Sequence, residues 1–424
     1  MASRVEWWLT RCQLACVLLL GCALGLSWGA TNVCLYAGLG VWLIRKVRAQ
    51  DARVPWTPIN GLLLLVCLVG VASLVNTVNL QTSLQGLRKW VRDWAALVLV
   101  WETLTSVRRL RWMAYVIAAT TCVIVLDGAL QRLMGYGLIS RAPLALYHLK
   151  VLSTTASFWR MTTTFHHPAD LGIFLVSVCP ILLACSDAAP VRPWRVIIRV
   201  AALMGLTGLV LTYARGAWFG MLVALSWMAV MHRQWRWGIV GLLLAGVMVL
   251  AIPAPARAWT QHQSSLLAVL TEPDRLTFWD TSLRMIAAHP LVGVGVNTFV
   301  LQYPHYQALG TPVEGLGPYA HNNYLHLAAE VGVVGLGLAL WALGRIIRLA
   351  GRAVRWASAS PELQGWVLGV SAGWLAYGVN GLTESSLFAS RSRVLFWWLT
   401  GWLFASLRAA APHLITPRLW RSRV

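Results

Sequence analysis

The sequence predicts an all-α fold: a polytopic transmembrane helix bundle of about twelve spans with one large helical loop on its outer side. Three observations lead there. Hydrophobic residues fill 58% of the 424 positions and charged residues only 12%, which leaves too little polar surface to solvate a globular domain and excludes an ordinary soluble protein. The apolar residues fall in runs about as long as a bilayer is thick. Basic residues gather in short segments between those runs, as they do beside membrane spans.

Taken in order, the runs lie near 12–29 and 30–44, closed by the Arg45–Arg53 basic segment; 59–78; 92–107, ended by Arg108–Arg111; and 112–130. After a loop near 131–167 come 168–186, 196–213 behind Arg192–Arg199, 215–231, and 237–252 behind Arg233–Arg236. The last three are 324–344, 363–380 and 393–408. The chain thereby divides into residues 1–252 with the first nine spans, the loop 253–323, and residues 324–424 with spans ten to twelve and the C-terminal tail. Pro253, Pro255, Pro273, Pro290, Pro304, Pro312 and Pro318 punctuate the long loop into short helices, the pattern of an active-site lid.

With the N-terminus inside, 22 of the 35 Lys and Arg residues fall on the inner side and 13 outside, so both termini are predicted inside and the loops 131–167 and 253–323 outside. Arg4 and Arg11 before an apolar run also suggest a signal peptide. The run continues into a second span with no small-x-small cleavage site, which favours an uncleaved first helix. All eight cysteines lie within or at the ends of spans, so no disulfide framework or zinc motif is implied. The net charge of +21 is read as membrane-flanking arginine facing lipid, with no nucleic-acid partner.

Arginines on the outer side suggest a polyanionic ligand, although lipid phosphates also attract surface arginine. Arg215 in TYARGAWFG stands between two apolar runs, where an unpaired guanidinium is costly, and Gly216 leaves room beside it. Arg160 opens RMTTTFHHPADLG, a loop turning into a helix at Pro168; His166 and His167 there have no third ligand at metal-site spacing. Arg275 and Arg284 share a predicted helix ended by Pro290, but nine residues put them half a turn apart. Arg284 follows Asp280 by four, an ion-pair spacing. The GVGVNTF tail lacks the preceding strand and phosphate-binding lysine of a nucleotide loop. Arg88, outside the fourth span, joins the candidate ligands.

His321 falls just after Pro318 at the start of span ten, where the helix field should hold its imidazole neutral and ready to accept a proton. Asn322 and Asn323 beside it can orient sugar hydroxyls. His326 is turned about 140° away, four residues before Glu330, which predicts a structural His–Glu pair.

These segments together, TYARGAW, RLTFW…HPLVGVG and AHNNYL…AEVGVVGLGL with an echo in RMTTTFHHPADLG, resemble the bacterial O-antigen ligase superfamily over roughly residues 160–340. The resemblance implies glycosyl transfer at the periplasmic face of the inner membrane, from a glycan on undecaprenyl pyrophosphate to a sugar hydroxyl of the lipid A core. On that reading His321, Arg215 and Arg275 are catalytic, and Arg160, Arg284, Arg88, Asn322 and Asn323 bind substrate. Planar guanidinium groups suit a leaving pyrophosphate. No Asp-x-Asp occurs, so arginine is expected to replace a metal, and no cofactor is implied.

Alternatives are an O-antigen polymerase, a protein O-oligosaccharyltransferase, which typically carries an added C-terminal region, and a lipid-glycan flippase, which would line a central cavity with its arginines.

Overall fold

The computed structural model describes residues 2–51, 57–139, 146–151, 154–189, 191–251, 273–308, 319–357 and 360–415. Each predicted apolar run lies on a helix: α1 (Ala2–Leu26), α2 (Trp28–Arg48), α3 (Asn60–Ala72, extended by a 3-10 turn Ser73–Asn76), α4 (Leu80–Thr103) and α5 (Val107–Met134) in the first part of the chain. Then come α6 (Pro168–Ala188), α7 (Arg192–Leu211), α8 (Arg215–His232) and α9 (Arg236–Ala251). The long loop contributes α10 (Pro273–Ala288) and α11 (Phe299–Tyr306), followed by α12 (Asn323–Trp356), α13 (Pro361–Asn380) and α14 (Ser390–Ala410).

Five of these helices are long and apolar enough to cross a membrane by length and composition: Arg4–Leu26, Val107–Met134, Pro168–Ala188, Arg192–Leu211 and Asn323–Trp356. Asn60–Asn76 and Arg236–Leu250 are apolar but shorter. The described residues are helical as expected, apart from one short hairpin. Within the loop near 131–167, Leu146–Val151 and Thr154–Trp159 pair as an antiparallel hairpin with Leu146 opposite Trp159. The second segment, with Thr154, Thr155, Phe158 and Trp159, is rich in the β-branched and aromatic residues that favour strands.

Helix starts follow local chemistry. Ser27 accepts from Ala30 N, Asn79 from Thr82 N and Ser106 from Arg109 N, each satisfying an otherwise orphaned donor. The α5 helix ends on Gly135 at φ +81°, the left-handed cap that glycine adopts without strain. All eight cysteines are free.

The bundle is centred on α6 and α13. In α13, Gly365, Gly369 and Gly373 recur every fourth residue on the face toward α6. A Cβ at Gly373 would lie 2.0 Å from Ser177 O, and one at Gly369 2.9 Å from Ile181 Cα. Small residues on that ridge let the two backbones touch, the close packing that joins helices where no hydrophobic effect operates between them. Trp398, Trp402 and Phe404 of α14 are fully buried beside them.

Candidate active site

The site is assembled around a broken helix. In α12, Val331 (φ −128°) and Gly332 (φ +71°) leave helical geometry, which strands the backbone groups on either side. The segment from Pro290 to Gly295 supplies their partners: Val294 N donates to Ala329 O (2.9 Å), Gly295 N to Glu330 O (3.1 Å), and Val333 N donates to Pro290 O (2.8 Å). Two left-handed glycines make this crossing possible. A Cβ on Gly332 would sit 2.1 Å from Leu291 O, and one on Gly293 (φ +72°) 2.3 Å from the Glu330 carbonyl carbon. The HPLVGVG and AEVGVVG motifs are therefore two halves of one backbone joint.

The joint is braced on both sides. Asn76 Nδ2 donates to Gly293 O (2.9 Å), Ser83 Oγ to Val296 O (2.8 Å) and Asn297 Nδ2 to Thr82 O (3.0 Å), which ties it to the 3-10 turn after α3 and to the start of α4. On the other side, Glu330 Oε1 lies 3.4 Å from His326 Nε2, and the His326 ring stacks on Phe388 (3.6 Å) and Phe299 (4.2 Å). His326 and Glu330 are both buried, so the structural pair expected from their spacing is present.

His321 precedes the cap of α12. It adopts φ +46°, an uncommon conformation for a residue with a side chain and one found where geometry serves a site. Its Nδ1 lies 3.5 Å from Glu384 Oε2, and its ring is 5.4 Å from that of Phe278. Neither imidazole nitrogen makes a hydrogen bond among the described residues. Arg275 reaches the same carboxylate from α10: Nη2 is 2.8 Å from Glu384 Oε1, while Nη1 donates to Thr383 O. Burial pushes the Glu384 carboxyl up, but the Arg275 guanidinium and the His321 and His167 imidazoles outweigh it and bring it down to about 2. The result is a fixed anion with a cation and an imidazole arranged around it.

Arg215 is the first residue of α8 and half-buried. A Cβ on its neighbour Gly216 would lie 1.9 Å from Thr383 Oγ1, so the glycine brings the start of α8 against the loop that carries Glu384. Arg160 donates to the carbonyls of Thr212 (2.8 Å, through Nε) and Tyr213 (3.3 Å, through Nη2), where it braces the α7–α8 turn that presents Arg215. Arg284 lies on the opposite side of α10, exposed and paired with Asp280 at 2.8 Å, as its spacing predicts. Arg88 is exposed on α4.

The two amides hold local structure. Asn322 caps α12, accepting from Tyr324 N (2.9 Å) and Leu325 N (3.1 Å). Asn323 is buried; its Nδ2 donates to Ser386 Oγ (2.9 Å), its Oδ1 accepts from Leu387 N (2.9 Å), and its backbone N donates to Gly381 O (2.7 Å). It clamps both ends of the loop that holds Glu384. His167 caps α6, its Nδ1 accepting from Ala169 N (3.2 Å). Pro253, Pro255, Pro312, Pro318 and much of the loop 253–323 lie outside the described residues.

Sequence reasoning missed Glu384 and Arg391. Arg391 donates to Leu24 O (2.8 Å) and Thr164 O (3.1 Å) and covers the Phe165 ring, joining α14 to α1 and to the RMTTTF segment. The available signal for Glu384 was its rarity: it is one of 14 acids in the chain and falls in a loop assigned outside, beside no local cation.

Residues 200–340 match the family model described as O-antigen ligase. That segment holds Arg215, Arg275, Arg284, His321, Asn322 and Asn323, while Arg88, Arg160 and Glu384 fall beyond it. The O-antigen ligase of Salmonella typhimurium (strain LT2) is 28% identical over 162 residues, covering 32% of this chain and 36% of that protein's length.

Proposed function

We propose, from the match of residues 200–340 to the O-antigen ligase family model and the likeness to the Salmonella relative, that the chain transfers a glycan from undecaprenyl pyrophosphate to a sugar hydroxyl of the lipid A core. The protein spans the inner membrane about twelve times with both termini cytoplasmic, and the His321 cluster faces the periplasm. The observation that carries the reading is the convergence of an imidazole and a guanidinium, 46 residues apart in sequence, on the single carboxylate of Glu384.

In this reading the Glu384 carboxylate faces Nδ1 of His321, which leaves Nε2 to take the proton of the acceptor hydroxyl. The acceptor oxygen then bonds to the anomeric carbon of the donor sugar as the bond from that carbon to the pyrophosphate breaks, and the electron pair leaves with the pyrophosphate. Arg275 is anchored on Thr383 O and the Glu384 carboxylate. It acts with Arg215 on the departing charge, taking the place of a divalent cation. Glu384 balances the imidazolium as it forms, while Asn323, Asn322 and Arg160 position these groups.

The test is transfer by the His321→Ala protein, which should fall by roughly 10²–10⁴-fold while the protein stays folded in the membrane; unchanged transfer would overturn the assignment. In cells, loss of a ligase leaves unmodified core with long polymer on the undecaprenyl carrier, whereas core bearing single repeats would identify a polymerase.

A further inference from the structure

With α12 and α3 crossing the membrane, two helices give the height of the backbone joint. Arg345 is the first Lys or Arg of α12 and marks the inner end of its apolar run. Gly332 stands thirteen residues before it, about 20 Å along the helix, so in a hydrocarbon core about 30 Å thick it lies below the outer surface. The neighbouring α3 agrees. From Asn60 to Asn76, whose side chain holds Gly293 O, the helix and its 3-10 turn rise about 26 Å. That apolar stretch is shorter than a full span and stops at the joint.

The surface around the joint has the composition of that depth. On α3, Leu64, Leu68, Val71 and Val75 are exposed at helical spacing, and on α12 Val333 and Leu340 are. These stripes meet beside Leu291, which is 64% exposed: Asn76 bonds Gly293 O, and Val333 N bonds Pro290 O. Every exposed residue between Arg284 and His305 lacks a polar side chain, Leu291, Val300 and Leu301 being the largest. The exposed Asp280–Arg284 pair closes the apolar stretch on the α10 side.

Non-helical backbone persists at membrane depth only where the protein itself satisfies its polar groups, because no water is there to do so. Residues 293–296 meet this condition at every main-chain N–H and C=O. Gly293 N donates to His289 O (3.0 Å) and its O accepts from Asn76, while Val294 N donates to Ala329 O and its O accepts from Thr298 Oγ1 (3.2 Å). Gly295 N donates to Glu330 O and its O accepts from Thr298 N (3.3 Å). Val296 N donates to Ser73 Oγ (3.1 Å) and its O accepts from Ser83 Oγ (2.8 Å).

We propose that residues 290–301 form a re-entrant element seated in the outer leaflet, with Leu291, Val300 and Leu301 among phospholipid acyl chains. A lid bathed in water would cover such side chains or carry polar ones in their place. The element fills the thickness that α3 leaves short, and it ties the joint beneath the His321 and Glu384 cluster to the bilayer. It rests on α3 and α12 spanning the membrane and goes beyond the ligase reading.

A fluorescent amino acid placed by amber suppression at Leu291, at Leu301 and, as an outside reference, at Asp280 of the full chain tests this in phosphatidylcholine nanodiscs. Lipids spin-labelled on the acyl chain should quench the probe at Leu291 and Leu301 at least about twofold more than at Asp280, and aqueous iodide should show the opposite order. Iodide quenching at Leu291 and Leu301 equal to that at Asp280 would overturn the element. If the probe at Leu291 unfolds the chain, the one at Leu301 decides alone. Leu291→Asp supplies a second readout. At an exposed position in water this change would leave the unfolding midpoint within about a degree or two. In hydrocarbon it should lower the midpoint by several degrees, and an unchanged midpoint would overturn the proposal. Acyl-chain quenching in a protein without transfer would refute the ligase reading and leave the element standing; iodide quenching in an active protein would do the reverse.

Discussion

Glu384→Gln probes the centre of the proposed mechanism. The carboxyl falls from an ordinary 4.5 to about 2 despite burial, which corresponds to about 3 kcal/mol favouring its charged form beside Arg275, His321 and His167. Glutamine keeps the shape and an oxygen to accept from Arg275 but removes the charge. If that charge steadies the imidazolium formed during transfer, the rate at neutral pH should fall by between about 10 and 10²-fold, since about 1.4 kcal/mol is a factor of ten. Stability should change with a definite sign. Because the folded value lies below the ordinary one, the stabilisation is complete above pH 4.5 and is lost as pH falls toward 2. The gap between wild type and variant should therefore be largest near pH 7, up to about 3 kcal/mol, and shrink to about 1 kcal/mol at pH 3. The assays are transfer with purified donor and acceptor, and thermal unfolding in detergent across that range. Wild-type transfer by the glutamine protein, or a stability gap indifferent to pH, would refute the role given to Glu384.

Arg275→Ala should abolish most transfer, whereas Arg284→Ala, removing an exposed i,i+4 pair worth a few tenths of a kcal/mol, should lower it modestly when membrane levels are matched; the reverse order would contradict the orientation of α10. Arg215→Lys keeps charge but loses the fork that holds two phosphate oxygens, so transfer should stay strongly impaired, and near-normal rates would reduce Arg215 to long-range attraction. Gly332→Ala places a methyl 2.1 Å from Leu291 O at φ +71°, which should cost more than about 1–3 kcal/mol and lower the unfolding midpoint; an unchanged midpoint would mean the joint is not rigid.

How much of this was legible in the sequence follows from the range of each interaction. The apolar runs locate the helices because burial in a membrane imposes one composition over a whole span. The pairs Asp280–Arg284 and His326–Glu330 could be read from spacing because residues four apart meet on any regular helix. The half-turn between Arg275 and Arg284 follows from the same periodicity. The hairpin at 146–159 was hidden in a loop because two six-residue strands without clear alternation carry little signal beside long apolar runs.

The chemistry of the site was decided by tertiary packing. Arg275 and Glu384 are 109 positions apart, and Asn323 and Ser386 are 63 apart; no helical period connects them. Asn322 and Asn323 read as sugar ligands because amides are versatile hydrogen-bonding groups, and only the fold shows the Asn322 Oδ1 engaged by a helix start and both side-chain ends of Asn323 engaged by a loop. That the Arg160 guanidinium meets the carbonyls of Thr212 and Tyr213, some fifty positions away, is likewise a product of the α7–α8 turn. The sequence by itself determined which residue types were available and the helices that carry them, because those depend on local periodicity and on the membrane. Which carboxylate a cation meets depends on how α10, α12 and the α13–α14 loop come together, and that is set by the glycine joint at residues 293 and 332, where backbone partners from distant segments replace the bonds a continuous helix would have made.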